Sequence, residues 1–313
     1  MDIYSNFDFY SPFNLSEYSF GKSMRYQLSL LDNLDFKTKR HSQNVANVTG
    51  RICEYLGCKP EFTFYAVMCA YLHDIGKTFI PKSILFKDGR LTDEEYEIIK
   101  QHTTYGYNLC INDPKLKMFA EGTLYHHECL DGSGYPNGVK GKDIPYASQI
   151  IHVADVYDAL VTKRHYTTHV NISDTLNVLV KDSEPSKNMV AFDELSRNYQ
   201  VGKINKTALN ALFKVVIDDT NFEIASTKKY IKALKNDVSR LEQVEDFDKQ
   251  RKKARTEKKK QYFENGMNIL FADKENKDNY LDVLNDYRNA VTKKYDLIDN
   301  LNEEIKVLKK LKV

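Results

Sequence analysis

The chain has 313 residues, and 46 Lys plus Arg against 44 Asp plus Glu leave a net charge of +2. That balance argues against a general nucleic-acid binder, whose basic face tilts the sum, and the length is too great for one small domain and short for three. No apolar run approaches the roughly 20 residues of a membrane helix, and the start, MDIYSNFDFY, lacks a signal-peptide pattern. The five cysteines (Cys53, Cys58, Cys69, Cys110, Cys129) are odd in number and not spaced as a zinc site. Reduced thiols in a cytoplasmic protein, mostly packing between helices, are therefore expected.

Taken in chain order, residues 1–36 hold eight aromatics in the first 26 positions, too apolar for a disordered tail. The expectation is a segment packed on the domain behind it. From 37 to 222 the periodicity is helical. His41, Val45, Val48, Ile52 and Tyr55 recur at steps of three and four, as on one helix face. Phe64 to Ile75 is mostly apolar and ends near Gly76, a helix-stop signal. Thr92 and Glu95 have capping-box spacing, opening a helix that carries Ile98, Ile99, His102 and Leu109. The stretch DGSGYPNGVKGKDIP (131–145) is rich in Gly and Pro and reads as a structured loop. Ile150 to Leu160 is another apolar helix. No β-alternation is long enough to build a sheet, so the fold class is all-α.

Residues 223–313 differ in character. Ile231, Leu234, Val238 and Leu241 keep 3-4 spacing, and KQRKKARTEKKK (249–260) holds eight basic residues and one acidic. That run reads as a solvated helix face. A heptad follows, with Leu284, Val291, Ile298 and Ile305 at a and Tyr287, Lys294, Leu301 and Leu308 at d. β-branched residues at a with Leu at d favour a two-stranded parallel coil, and hence a homodimer through these helices. An intrachain antiparallel hairpin satisfies the same pattern, and both stay open.

The chemistry concentrates in the middle of the chain. His73-Asp74 ends an apolar run, His41 and His102 lie on apolar helix faces, His126-His127 precede Glu128, and Asp155 sits in IIHVADVYDAL. One buried imidazole or carboxylate without a partner is costly. Seven on the inner faces of five helices make sense when something shares them, and a metal cluster does so. Imidazoles and carboxylates without thiolate suit Fe, Mn, Zn, Ni or Co. Seven ligands are too many for one open ion and fit two, with Asp74 as the bridging carboxylate. Such a pair clamps and activates at a phosphoryl group. Lys77, four residues after His73, is placed to hold a phosphate oxygen if the helical turn persists. It equally fits ordinary matching to a helix C-terminus.

These residues resemble a known family. His73-Asp74-Ile75-Gly76-Lys77 is similar to the HDIGK signature of the HD superfamily, and His126-His127-Glu128-Cys129-Leu130-Asp131-Gly132-Ser133-Gly134-Tyr135-Pro136 is similar to the HHExxDGxGYP motif of its HD-GYP branch. Ile80-Pro81 to Leu85, Lys87, Leu91-Thr92, Glu95, Ile144-Pro145, Asp155 to Leu160, and Arg164 with Tyr166 follow the same pattern, over about 37 to 217. The resemblance implies an all-α HD bundle and a phosphodiesterase that opens cyclic di-GMP to pGpG and often onward to GMP. It implies metal ligation by His41, His73, Asp74, His102, His126, His127 and Asp155, with a binuclear Fe or Mn centre. It implies phosphate binding by Lys77, substrate binding by Arg164, and a loop of Gly134, Tyr135 and Pro136 beside the site. Two positions depart from the pattern. Lys37 stands where some members place a glutamate for a third metal, and Thr167 follows Tyr166 where the family favours a basic residue. Three other functions remain open from sequence: hydrolysis of 3′,3′-cyclic GMP-AMP, a nucleotide phosphohydrolase of the wider superfamily, and a non-catalytic nucleotide- or partner-binding scaffold.

Overall fold

The computed structural model describes residues 31–32, 34–164, 172–185, 202–271 and 279–311. The aromatic segment expected to pack over 1–36 falls almost wholly outside these residues, as does Tyr166. Every regular element among the described residues is helical. The chain forms two compact units, Met1–Val216 with Lys310–Val313, and Ile217–Lys309.

The first unit begins with α1 (Phe36–Tyr55), whose N-terminus is capped by Asp35. Its Oδ1 accepts from the amides of Lys37 at 2.9 Å and Thr38 at 3.1 Å, satisfying orphan donors of the first turn. Val45, Ala46, Thr49, Ile52 and Cys53 form the buried stripe. At about 100° per residue, His41 falls on the edge of that stripe and Tyr55 well outside it. Tyr55 is exposed, contrary to the face read from spacing alone.

α2 (Pro60–Leu72) starts with Pro60 at its first position, where the missing N–H costs nothing. Ala66 to Leu72 are all buried, so α2 is the central helix. It packs against α1, α6 (Ala120–Tyr125) and α7 (Tyr146–Arg164). α2 ends at Leu72, short of the stop expected at Gly76, and a 3-10 turn follows at Ile75–Phe79. Gly76 serves a different purpose. A Cβ there would lie 1.9 Å from the His102 carbonyl oxygen and 2.5 Å from the Gly106 amide. Only glycine lets α5 (His102–Ile111) approach this turn.

The capping box forms as its spacing predicts. The Glu95 amide donates to Thr92 Oγ1 at 3.3 Å and the Thr92 amide to Glu95 Oε2 at 2.8 Å. The helix it opens is not continuous, however. α3 (Lys82–Leu85) and α4 (Asp93–Lys100) precede a break at Gln101, after which α5 begins. Two side chains take carbonyls there: His102 Nδ1 donates to Ile99 O at 2.7 Å and Thr103 Oγ1 to Lys100 O at 2.9 Å. Such bonds compete with the regular ladder. α8 (Ile172–Ser183) and the start of α9 (Lys206–Lys253) complete the unit.

The second unit decides how the heptad is used. Leu284, Ile298, Leu301, Ile305 and Leu308 on α11 (Tyr280–Leu308) are buried within one chain. Ile298, Leu301 and Ile305 pack with Ile224 and Ile231 of α9. Tyr280 and Leu284 pack with Leu241 and Val244 of α9 and with Met267 of α10 (Glu257–Leu270). Tyr280 bonds Asp248, Arg288 bonds Glu242, and Lys235 bonds Tyr295. The pairing runs antiparallel, so the seam is closed by the chain's own helix: the hairpin is adopted. The basic run spans the end of α9 and the start of α10, mostly exposed, with Arg251 and Lys252 paired to Asp248.

Gly76→Ala is expected to destabilise the protein by about 3 kcal/mol or more, because the new methyl meets backbone that cannot swing aside. Urea denaturation of the purified variant measures it. A change below about 0.5 kcal/mol would contradict the close approach.

Candidate metal centre

The seven residues expected to share a site converge from five places in the first unit. His41 comes from α1, His73 and Asp74 follow α2, His102 opens α5, His126 and His127 follow α6, and Asp155 comes from α7. His73, Asp74, His102 and His126 are at most 1% exposed. Three overlapping groups present ligand atoms within 4.8 Å of one another: His41, His73 and Asp155; His102, His126 and His127; and His73, Asp74 and His126.

Asp74 lies at the join. Its Oδ2 is 3.3 Å from His73 Nε2 and 3.8 Å from His41 Nε2, while Oδ1 is 3.4 Å from His102 Nε2. Each oxygen therefore faces a different imidazole set. Lys77 Nζ donates to Oδ2 at 2.5 Å. Burial opposes ionisation of Asp74, but Lys77 and then His73 outweigh it and hold the carboxyl well below the usual range. Burial likewise works against the Lys77 charge, and Asp74 more than restores it. The pair is ionised.

The imidazoles carry a conflict that protein atoms leave unsettled. His73, His102 and His126 each donate Nδ1–H to the carbonyl three residues earlier, at Ala70 (2.6 Å), Ile99 (2.7 Å) and Thr123 (2.9 Å). A neutral ring with hydrogen on Nδ1 bears a lone pair on Nε2. Yet His102 Nε2 and His126 Nε2 stand 3.2 Å apart, lone pair towards lone pair. His73 Nε2 and Asp74 Oδ1 are buried with no hydrogen-bond partner. A cation is what such a donor set lacks. Burial, then the neighbouring imidazoles, depress the basicity of His126 and His127 strongly, and burial lowers His102. Those rings are neutral and fit to ligate. The chemistry of the donors thus fits metal, and the His/Asp cluster can hold it.

His41 behaves differently. Burial would lower its basicity, but Asp155 on Nε2 (2.9 Å) and Asp158 on Nδ1 (2.7 Å) raise its pKa to about 10. Asp155 is held well below the usual carboxylate range: burial opposes this, and the His41 bond and His127 overcome it.

The GYP loop stands over the imidazoles. A Cβ on Gly134 would lie 2.3 Å from the Cys129 amide and 2.4 Å from the His127 carbonyl, so glycine lets the loop press on the ligand segment. The Tyr135 amide donates to His127 O at 3.2 Å, and its ring lies 4.7 Å from the His127 ring. Burial raises the Tyr135 hydroxyl, which stays protonated. Pro136 is exposed. Arg164 is the last residue of α7, and its side chain lies outside the described residues.

Three further residues support the site without being expected as ligands. Asp158 backs His41. Glu128 Oε1 accepts the amides of Asn137 at 2.7 Å and Gly138 at 3.1 Å, fixing the loop. His152 Nδ1 donates to the His126 carbonyl at 2.8 Å. Asp158 lies in the Asp155 to Leu160 stretch, three residues after Asp155, and Glu128 lies in the HHExxDGxGYP match, so both had a signal in the sequence; His152 had none beyond proximity in sequence.

A family model described as HD domain matches residues 26–186. Over 134 residues the chain is 48% identical to a cyclic di-GMP phosphodiesterase of Thermotoga maritima, covering 42% of this chain and 36% of that protein. It is 40% identical over 134 residues to the cyclic di-GMP phosphodiesterase response regulator RpfG of Xanthomonas campestris, covering 42% and 35%. It is 34% identical over 167 residues to the 3′3′-cGAMP-specific phosphodiesterase 1 of Vibrio cholerae, covering 52% and 38%. The chain thus spans well under half the length of these relatives. Among the described residues no helix is long and apolar enough to cross a membrane.

The imidazoles make stability pH-dependent in the metal-free protein. His102, His126 and His127 are depressed in the fold, so below about pH 6.5 the unfolded chain takes up protons that the folded one refuses. Stability is lost there, at about 1.4 kcal/mol per pH unit for each such ring. The His41 contribution runs the other way: full below about pH 6.5 and lost as pH rises to about 10. Urea denaturation after chelation should therefore show a maximum near neutral pH. Stability still climbing steadily to pH 9 would contradict these assignments.

Proposed function

The chain belongs to the HD domain family, and on that premise we propose that it is a metal-dependent phosphodiesterase opening cyclic di-GMP to pGpG, with further cleavage to GMP as an extension of the same chemistry. The observation that carries the proposal is the buried Asp74 carboxylate, with one oxygen towards His102 and the other towards His73 and His41. In this reading His41, His73 and Asp155 would hold one ion and His102, His126 and His127 the other, with Asp74 available to both. Fe or Mn suits this donor set best, with Zn, Ni or Co as substitutes. When bound, two such ions neutralise charge on phosphoryl oxygens and activate a water.

The remaining roles fall to the chain itself. Lys77, cationic and 2.5 Å from Asp74 Oδ2, reaches a non-bridging phosphate oxygen from beside the shared carboxylate. Tyr135, protonated and packed on His127, walls the site and offers a hydroxyl donor. Gly134 and Pro136 set the loop that carries it. Arg164 is assigned to substrate phosphate or guanine. The catalytic domain is taken as 37–222 and the helical extension as 223–313. A second substrate, 3′,3′-cyclic GMP-AMP, is favoured by the resemblance to the Vibrio cholerae enzyme specific for it.

Full-length protein loaded anaerobically with Fe(II) or Mn(II) is expected to convert cyclic di-GMP to the linear dinucleotide. Lys77→Ala should lower kcat by about 10²–10³-fold, and His73→Ala with Asp74→Ala should remove turnover. Faster cleavage of cyclic GMP-AMP would assign that substrate instead. Loaded protein that cleaves neither, but turns over a deoxynucleoside triphosphate, would overturn the proposal.

A further inference from the structure

Three imidazoles of the centre are aimed by one local device, an Nδ1–H bond to the carbonyl three residues earlier. Each sits at a helix end, where carbonyls of the last turn lack the regular donor four residues on. His41 has no such option, because it lies inside α1, where carbonyls are engaged by the ladder. Its orientation comes from another helix. Nδ1 donates to Asp158 Oδ2 at 2.7 Å, while Nε2 stands 2.9 Å from Asp155 Oδ1. Asp155 and Asp158 are three residues apart on α7, so both carboxylates leave one face of that helix and grip the ring from two sides. Asn44 Nδ2 donates to the other oxygen of Asp158 at 3.0 Å and fixes it. Asp158 is only 8% exposed.

The two halves of the centre are therefore unequal. The group of His41, His73 and Asp155 contains its own carboxylate, and Asp158 backs one of its rings. The ligand atoms grouped at His102, His126 and His127 include no carboxylate, though Asp155 Oδ2 stands 3.7 Å from His127 Nδ1 at the edge of that group, and backbone carbonyls, not carboxylates, back His102 and His126. A carboxylate behind a ligating imidazole fixes its tautomer and strengthens it as a donor.

We infer that Asp158 is a positioning residue that holds His41 with Nε2 turned towards the centre and makes the ion on the His41 side the more tightly bound of the two. This rests on the two-ion reading of the site given above.

The test is a titration of the chelated full-length protein with Mn(II), with free ion followed by electron paramagnetic resonance. The wild type should show two classes of site. Asp158→Asn keeps the shape and an acceptor for Nδ1 but removes the charge. It should weaken the tight class by about 10–100-fold, with the weak class and the total of two ions unchanged. His102→Ala should remove the weak class and spare the tight one. Asn44→Ala, which frees the carboxylate but keeps its charge, should weaken the tight class by less than Asp158→Asn does. Urea denaturation of each metal-free variant shows whether it folds, and Asn44→Ala carries the test if Asp158→Asn does not. Two equivalent sites in the wild type, or Asp158→Asn that leaves both classes alone or weakens both alike, would overturn the inference while leaving the two-ion reading intact. A wild type that binds no Mn(II) would defeat that reading itself, and the inference with it.

Discussion

The Asp74 carboxylate is buried and ionised, and beside it stand His102 and His126, neutral imidazoles whose inward nitrogens bear lone pairs. Lys77 neutralises one side of it. Among the described residues the other oxygen, Oδ1, has no hydrogen-bond partner. Around it the Nε2 atoms of His102 and His126 face each other at 3.2 Å, an arrangement that repels unless a cation stands among them. In water such groups would relax apart. Here they are held by packing, and the cost of holding them is the reason to expect that binding metal stabilises the fold.

The surrounding helices make the arrangement rigid. Each of three histidines has its outward nitrogen tied to backbone, so no ring can flip to relieve the conflict. Gly76 allows α5 to bring His102 against the turn carrying Asp74, and Gly134 allows the Tyr135 loop to settle on His127. Glu128 ties down that loop through two backbone amides. α7 supplies Asp155 and, one turn on, Asp158. Packing thus fixes the donors before any ligand arrives, which is what electrostatic catalysis at phosphorus demands.

Much of this was legible in the residues. The all-α class follows from helical periodicity and the lack of β-alternation, and the Thr92–Glu95 cap is present as its spacing predicts. The seven residues that the fold gathers were legible as a group because imidazoles and carboxylates on apolar faces are costly to bury unless something shares them. What periodicity missed is three-dimensional. A 3-4 pattern gives a face but not its centre, so Tyr55 was assigned to a buried side and is exposed. A glycine after an apolar run signals a stop, but the constraint on Gly76 is a neighbouring backbone 26 residues later. The heptad fits a parallel dimer and a hairpin equally, and the antiparallel contacts within one chain, such as Tyr280 with Asp248 and Arg288 with Glu242, distinguish them. Asp158 was invisible as a partner of His41 because the bond crosses 117 residues.

The most direct test of the account is anomalous diffraction from crystals of the protein grown with Mn(II). Two anomalous peaks flanking the Asp74 carboxylate, one touching His41, His73 and Asp155 and the other His102, His126 and His127, are the predicted result. No peak at these residues, or a single ion that Asp74 does not touch, would contradict the reading of the seven side chains as one shared centre.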